Sequence, residues 1–254
     1  RNECQACARG HPAFNADADA FSRGSFPQFL DIDVKAIPAV PTIEAKIHFQ
    51  LARYHFMGRF SENHEPNLPA ALYHYQKAAQ AGSIPAILAL AKVYSSSSYH
   101  EDVLPNNVDL EDTVKAAALL KVASERGNCD AAASLAASYE KGTLTSVDFS
   151  QAVEMYRRYL EDYEKHTEGY TLGPKLSFGW DEHGIAPCHA MLSIADMLAS
   201  GGDGLESNLK EAYNMYGEAA ESFMSSMKAK LANQCYEKQA MLEGEIEWSD
   251  EEDE

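Results

Sequence analysis

Apolar residues recur along this chain at helical spacing, in short runs that mostly close on glycine. In "IEAKIHFQLARYHFMG", Ile43, Ile47, Leu51 and Tyr54 fall on one helical face and the run ends at Gly58. "LPAALYHYQKAAQAG" follows, with Pro69 suited to a first helical turn and Gly82 to the left-handed residue beyond the end. "IPAILALAKVYSSS" and "LEDTVKAAALLKVASERG" predict two more helices, and "CDAAASLAASYEKG" and "SQAVEMYRRYLEDYE" another two. Ser150 and Asp148 compete to cap the last of these. "APCHAMLSIADMLASGG" and "SNLKEAYNMYGEAAESF" form a final pair, and "MSSMKAKLANQCYEKQAML" runs on beyond it.

The runs are periodic. Gly82 to Gly127 and Tyr94 to Tyr139 are each 45 residues apart, and Tyr54 to Tyr94 is 40. Two helices in each such period are the signature of an α-solenoid. Ala78, Ala79, Ala116 to Ala118, Ala131 to Ala133, Ala219 and Ala220 are expected where paired helices approach closely. Glycines are expected where the turns need positive φ. Tyr54, Tyr75, Tyr94, Tyr139, Tyr156 and Tyr216 are expected to fill gaps between layers.

The pattern therefore predicts an all-α fold, an α-solenoid of helix pairs with a terminal capping helix. Residues 1–41, with Pro12, Pro27, Pro38 and Pro41 and no sustained period, read as a linker or tail. The helical domain is expected over 42–242, with pairs at about 42–82, 83–127, 128–165 and 185–222 and a terminal helix at 223–242. In that helix Met224, Met227, Leu231 and Tyr236 are expected to cap the solenoid. Lys228, Lys230, Glu237 and Lys238 are expected on the opposite face, open to a partner. Long connections at 95–109 and 166–184 interrupt the period, and such loops are tolerated insertions or functional surfaces.

Charge narrows the partners. The 254 residues hold 39 acidic and 21 basic side chains, a net charge of −18. Such a surface repels nucleic acid and anionic lipid and favours proteins with basic patches. Part of the excess lies in "EGEIEWSDEEDE" at 243–254, where eight of twelve residues are acidic; it reads as a solvated, disordered end. No run approaches the roughly 18 apolar residues of a membrane span, and none near Arg1 has the form of a signal peptide. Five cysteines and no Asn-x-Ser/Thr acceptor favour a reducing, cytoplasmic setting.

Candidate chemistry is sparse. Cys4 and Cys7 have metal-ligand spacing with His11 nearby, but a zinc site needs four ligands and no second Cys-x-x-Cys exists. Cys188 and His189 are adjacent, about 100° apart on a helix, and so form no dyad. "GGDG" at 201–204 lacks the lysine and hydroxyl of a phosphate-binding loop. Asp17 and Asp19 lack the rest of a calcium loop. His48 and His55 share a helical face and are expected to meet solvent or a neighbouring carbonyl rather than a metal. The sequence thus predicts no catalytic, cofactor or metal residues.

The unit A-x-L-Y-x-Y-x-x-A-A-x-x-G followed by A-x-L-x-L-A-x-x-Y resembles the Sel-one-like repeat, a relative of the tetratricopeptide repeat, over roughly residues 43–222. "SGGDGLESN", "MYGEAAES", "MKAKLANQCYEK" and "IHFQLARYHFMGRFSE" further resemble the carboxy-terminal domain of the elongation factor 2 kinases, which are α-kinases. That resemblance implies a parent serine/threonine kinase, dependent on calcium and calmodulin, whose action on elongation factor 2 slows translation elongation. It implies that this chain is its non-catalytic docking and regulatory domain. Partners would be elongation factor 2 and the kinase domain of the same polypeptide, with calmodulin a further candidate. The docking role would fall on Lys228, Lys230, Leu231, Ala232, Asn233, Gln234, Tyr236 and Lys238. A protein-interaction scaffold from another helical-repeat adaptor is the alternative.

Overall fold

Side-chain caps decide where most of the helices begin. In a computed structural model, which describes residues 32–60, 63–95, 112–167 and 186–246, α1 (Ile43–Phe56) opens where Thr42 Oγ1 accepts from the Ala45 amide. Asn67, Asp112, Asn128 and Asn208 do the same for α2 (Leu68–Gln80), α4 (Thr113–Glu125), α5 (Cys129–Lys141) and α8 (Leu209–Ser225). At α6 (Phe149–Thr167) Asp148, not Ser150, accepts from the Gln151 amide at 2.9 Å. Each such cap contributes about 1 kcal/mol. α3 (Ile84–Ser95) follows α2 through a tight turn, and α7 (Pro187–Ser200) starts on proline without a side-chain cap. α9 (Ala229–Glu243) has neither a capping side chain nor a proline at its start, so tertiary contacts must hold it.

The chain divides into two compact units, Arg1–Arg126 and Gly127–Glu254. In the first, α1 pairs with α2 and α3 with α4. A 3-10 turn, Val34–Ala36, precedes α1, and Ile32 and Ile37 are buried. This leading segment is tied down: Arg126 donates to the Ile37 carbonyl at 3.1 Å, and the Thr42 amide donates to Ala81 O. In the second unit, α5 pairs with α6 and α7 with α8, and α9 packs on α8. No strand occurs among the described residues; one isolated bridge, Gly202–Leu205, closes the α7–α8 turn.

Alanine lines the helix contacts. Ala78, Ala79, Ala116, Ala131, Ala132, Ala219 and Ala220 are fully buried. Gly58, Gly82, Gly127 and Gly142 all have positive φ, as the turn reading expects. Tyr75, Tyr94, Tyr156 and Tyr216 are buried, whereas Tyr54 is 38% exposed.

Two expectations need correction. On α1 the larger aliphatics face out: Ile43 is 79% exposed and Ile47 54%, while Ala45, Ala52 and His55 are buried. The face of α1 that packs on α2 combines small alanines with histidine rings, so the bulkiest aliphatic stripe is not the packed one. His55, expected at solvent or a carbonyl, is buried against α2, and half-buried His48 reaches the same helix. His48 Nδ1 lies 2.9 Å from His74 Nδ1, and the His55 ring stacks on His74 with centroids 5.3 Å apart. Burial lowers the His55 pKa to about 4, which keeps the ring neutral.

Cys4, Cys7, His11, Asp17 and Asp19 lie outside the described residues, as do nearly all of both long connections and the acidic tail beyond Ile246. Among the described residues no helix is long and apolar enough to cross a membrane, and no group of three or more His, Cys, Asp or Glu could hold a metal ion.

Candidate functional site

Most of the residues that seat α9 are not the ones expected; of the expected set only Leu231 is half-buried. The helix starts at Ala229, so Met224 still belongs to α8 and Met227 lies in the turn between them. A helical count from Met224 to Tyr236 therefore crosses a break. Met224 is 51% exposed, Met227 94% and Tyr236 43%. The buried face is Ala232, Cys235 and Leu242, continued by Ile246. Gly217 on α8 makes room for the approach, because a Cβ there would lie 2.9 Å from Gln239 Nε2. That nitrogen instead donates to the Tyr213 carbonyl at 3.1 Å.

A polar node completes the seat. Asp196 on α7 accepts at Oδ1 from the Tyr216 hydroxyl (2.5 Å) and from Lys238 Nζ (2.6 Å), and Lys238 sits 5.5 Å from the centre of the Tyr216 ring. One carboxylate thus joins α7, α8 and α9. The preceding pair uses the same device, with the Tyr156 hydroxyl donating to Glu140 Oε2 at 2.7 Å. Burial first, then the bonded carboxylate, raises both tyrosine pKa values. These hydroxyls therefore stay protonated donors. Burial also pushes the Cys235 thiol up; Lys238 opposes this, and Asp196 and Cys188 reinforce it.

The eight sequence-predicted residues separate into two groups. Lys230, Asn233, Gln234 and Tyr236 are exposed on successive turns of α9, with Glu237 beside them. Lys228 is exposed but reaches back, its Nζ 3.3 Å from His189 Nε2 and over the Phe223 ring. Burial, then Lys228, lowers the His189 pKa, which leaves the imidazole nitrogen able to accept. Leu231 is half-buried and Ala232 fully buried. Lys238 is engaged by the pair with Asp196, with its side chain still 43% exposed. The sequence reading missed Asp196 and Glu140. The signal available was an acidic residue on the first helix of each pair together with a tyrosine, rather than a phenylalanine, on the second.

A second concave region lies in the same unit, where Glu154 and Arg157 of α6 face Glu206, Asn208 and Glu211 at the start of α8. Arg157 and Glu211 pair across it.

The family model for the Sel1 repeat matches residues 47–83, 129–158 and 188–222, which take in most of α1 with α2, α5 with part of α6, and most of α7 and α8. This chain is an all-α solenoid of Sel1 repeats. It is 33% identical over 207 residues to eukaryotic elongation factor 2 kinase of Rattus norvegicus, a match covering 78% of this chain and 27% of that protein. The enzyme of the same name from Caenorhabditis elegans is 26% identical over 246 residues, covering 79% of this chain and 31% of the other. The chain thus spans about a quarter to a third of these relatives. A solved Sel1 repeat protein from Oxalobacter formigenes is 20% identical, with 76% of this chain and 56% of that one covered at a TM-score of 0.36. Repeat solenoids of this kind present extended surfaces to protein partners.

Proposed function

We propose that this Sel1-repeat chain is the non-catalytic docking domain of an elongation factor 2 kinase, and that the outer face of α9 recruits elongation factor 2 for phosphorylation. Recruitment would place the reaction's control on translation elongation in the cytoplasm, with the kinase domain of the same polypeptide as the other partner. One observation carries the reading. α9 is pinned through Ala232, Cys235, Leu242 and Lys238, yet Lys230, Asn233, Gln234 and Tyr236 stand exposed on it. A helix needed only to cap the last repeat has no use for a fixed, mixed polar and aromatic outer face. Tyrosine supplies large, rigid contact area at little entropic cost. Lys230 supplies a positive charge on a chain that is otherwise strongly acidic.

The experiment is truncation after Ala229 in the full kinase. Phosphorylation of elongation factor 2 is expected to fall by an order of magnitude or more, because the contact that raises its local concentration is gone. Phosphorylation of a short peptide is expected to hold. Equal loss on both substrates would make α9 an element of folding or activity, not of docking.

A further inference from the structure

We infer that Met227 is an apolar anchor, held out by a strained turn to enter a pocket on the protein that docks on α9. This rests on the docking reading above and adds to it the anchoring residue and the chemistry of the partner's surface.

The turn between α8 and α9 repeats the turn between α2 and α3. After α2, the Gly82 amide donates to Ala79 O and the Ser83 amide to Ala78 O. After α8, the Met227 amide donates to Met224 O and the Lys228 amide to Phe223 O, with the same offsets. This is the left-handed helix ending that glycine accepts without steric cost. Gly82 has φ 95° there, and Gly127, after α4, has φ 76°. Met227 holds the equivalent place with φ 58°. Among the described residues, the other non-glycine positions with positive φ are His64 and Asp203. Histidine and aspartate are enriched in that region, and a short polar side chain such as aspartate's can bond locally. Methionine has no such compensation.

Packing does not offset the strain either, since the Met227 side chain is 94% exposed. A glycine here would relieve the backbone and remove an exposed apolar side chain at once. Strain that the fold itself does not use is found at functional contacts. The surroundings define the contact. Met224 is 51% exposed beside Met227, and Lys228 and Lys230 are exposed immediately after it. Three residues further along the chain, the outer surface of α9 begins at Lys230, so a partner on that helix meets Met227 without a break. An unbranched thioether adapts to an irregular apolar pocket. The two lysines, set on a chain of net charge −18, select a pocket with an acidic rim.

The test compares Met227→Gly, Met227→Leu and the truncation after Ala229 in the full kinase, read as the ratio of elongation factor 2 to peptide phosphorylation. Thermal unfolding of the 254-residue chain is measured alongside. Met227→Gly is expected to raise Tm by about 2–4 °C and to lower the ratio about fivefold or more. Met227→Leu is expected to keep most of the ratio. An unchanged ratio in Met227→Gly, with the ratio lost on truncation, overturns the anchor and leaves docking by α9 standing. A lower Tm in Met227→Gly also overturns it, since the methionine would then serve the fold. An unchanged ratio on truncation removes the docking reading itself, and the anchor with it.

Discussion

Lys238 and Asp196 meet at 2.6 Å between the terminal helix and α7, on the same carboxylate oxygen that accepts from Tyr216. The pair itself is nearly half exposed on both sides, so solvent screens it. Its worth is the few tenths to about 1 kcal/mol of a surface ion pair. The bond from Tyr216 is different, because the residue is buried and loss of Asp196 takes away the acceptor its hydroxyl uses. Asp196→Ala is therefore expected to destabilise the chain by about 1–3 kcal/mol and Lys238→Ala by under about 1 kcal/mol. Urea unfolding of both variants and of Asp196→Ala/Tyr216→Phe checks this. Removing both partners should recover part of the loss, and equal effects of the two single variants would contradict the account.

Gly82 and Gly127 end equivalent helices but should not cost the same to replace. A Cβ at Gly82 would lie 2.9 Å from Pro38 O and 3.1 Å from Pro41 Cα, both backbone atoms of the segment leading into α1. At Gly127 nothing stands within 4 Å. Gly127→Ala then bears only the conformational cost of a left-handed residue, about 1–2 kcal/mol. Gly82→Ala should cost at least about 1 kcal/mol more, since the leading segment has to move. Denaturant midpoints of the two variants, at constant m-value, decide it.

The buried histidine of α1 gives a pH dependence of definite sign. With a folded pKa near 4 against 6.5 unfolded, His55 is neutral in the fold while the unfolded chain takes up a proton below 6.5. The stability this represents is complete above pH 6.5 and is lost as pH falls toward 4. The limiting slope is about 1.4 kcal/mol per pH unit within that window. His55→Phe should flatten the slope between pH 6.5 and 4.5 by about that amount. An unchanged slope would mean that His55 is not what titrates.

The sequence carried the architecture because the repeat writes it redundantly. Gly82 and Gly127, Tyr94 and Tyr139, and the alanine pairs all set one period, so no single misreading displaced a helix. Which face of a helix packs was another matter. On α1 the sequence pointed to Ile43 and Ile47, and on the terminal helix to Met224, Met227 and Tyr236, yet Ala45, Ala52, Ala232 and Cys235 face inward. Hydrophobic periodicity weights large apolar residues, whereas these contacts are built largely from alanine, a cysteine and a histidine, which that pattern scores weakly. The same limit hid the node at Asp196. A carboxylate that bonds a tyrosine and a lysine from two other helices leaves no local pattern. The exposed members of the predicted docking set, Lys230, Asn233, Gln234 and Tyr236, were legible as a string. That Lys238 and Ala232 belong to the seat required the packed structure.

The central claim is tested most directly by titrating elongation factor 2 against the 254-residue chain, as found and as Lys230→Glu/Tyr236→Ala, with helix content followed by circular dichroism. Neither residue is part of the buried face, so helix content should not change. The account predicts saturable binding that weakens about tenfold or more in the double variant. Equal affinity in the two proteins, or no binding by the chain as found, would contradict it.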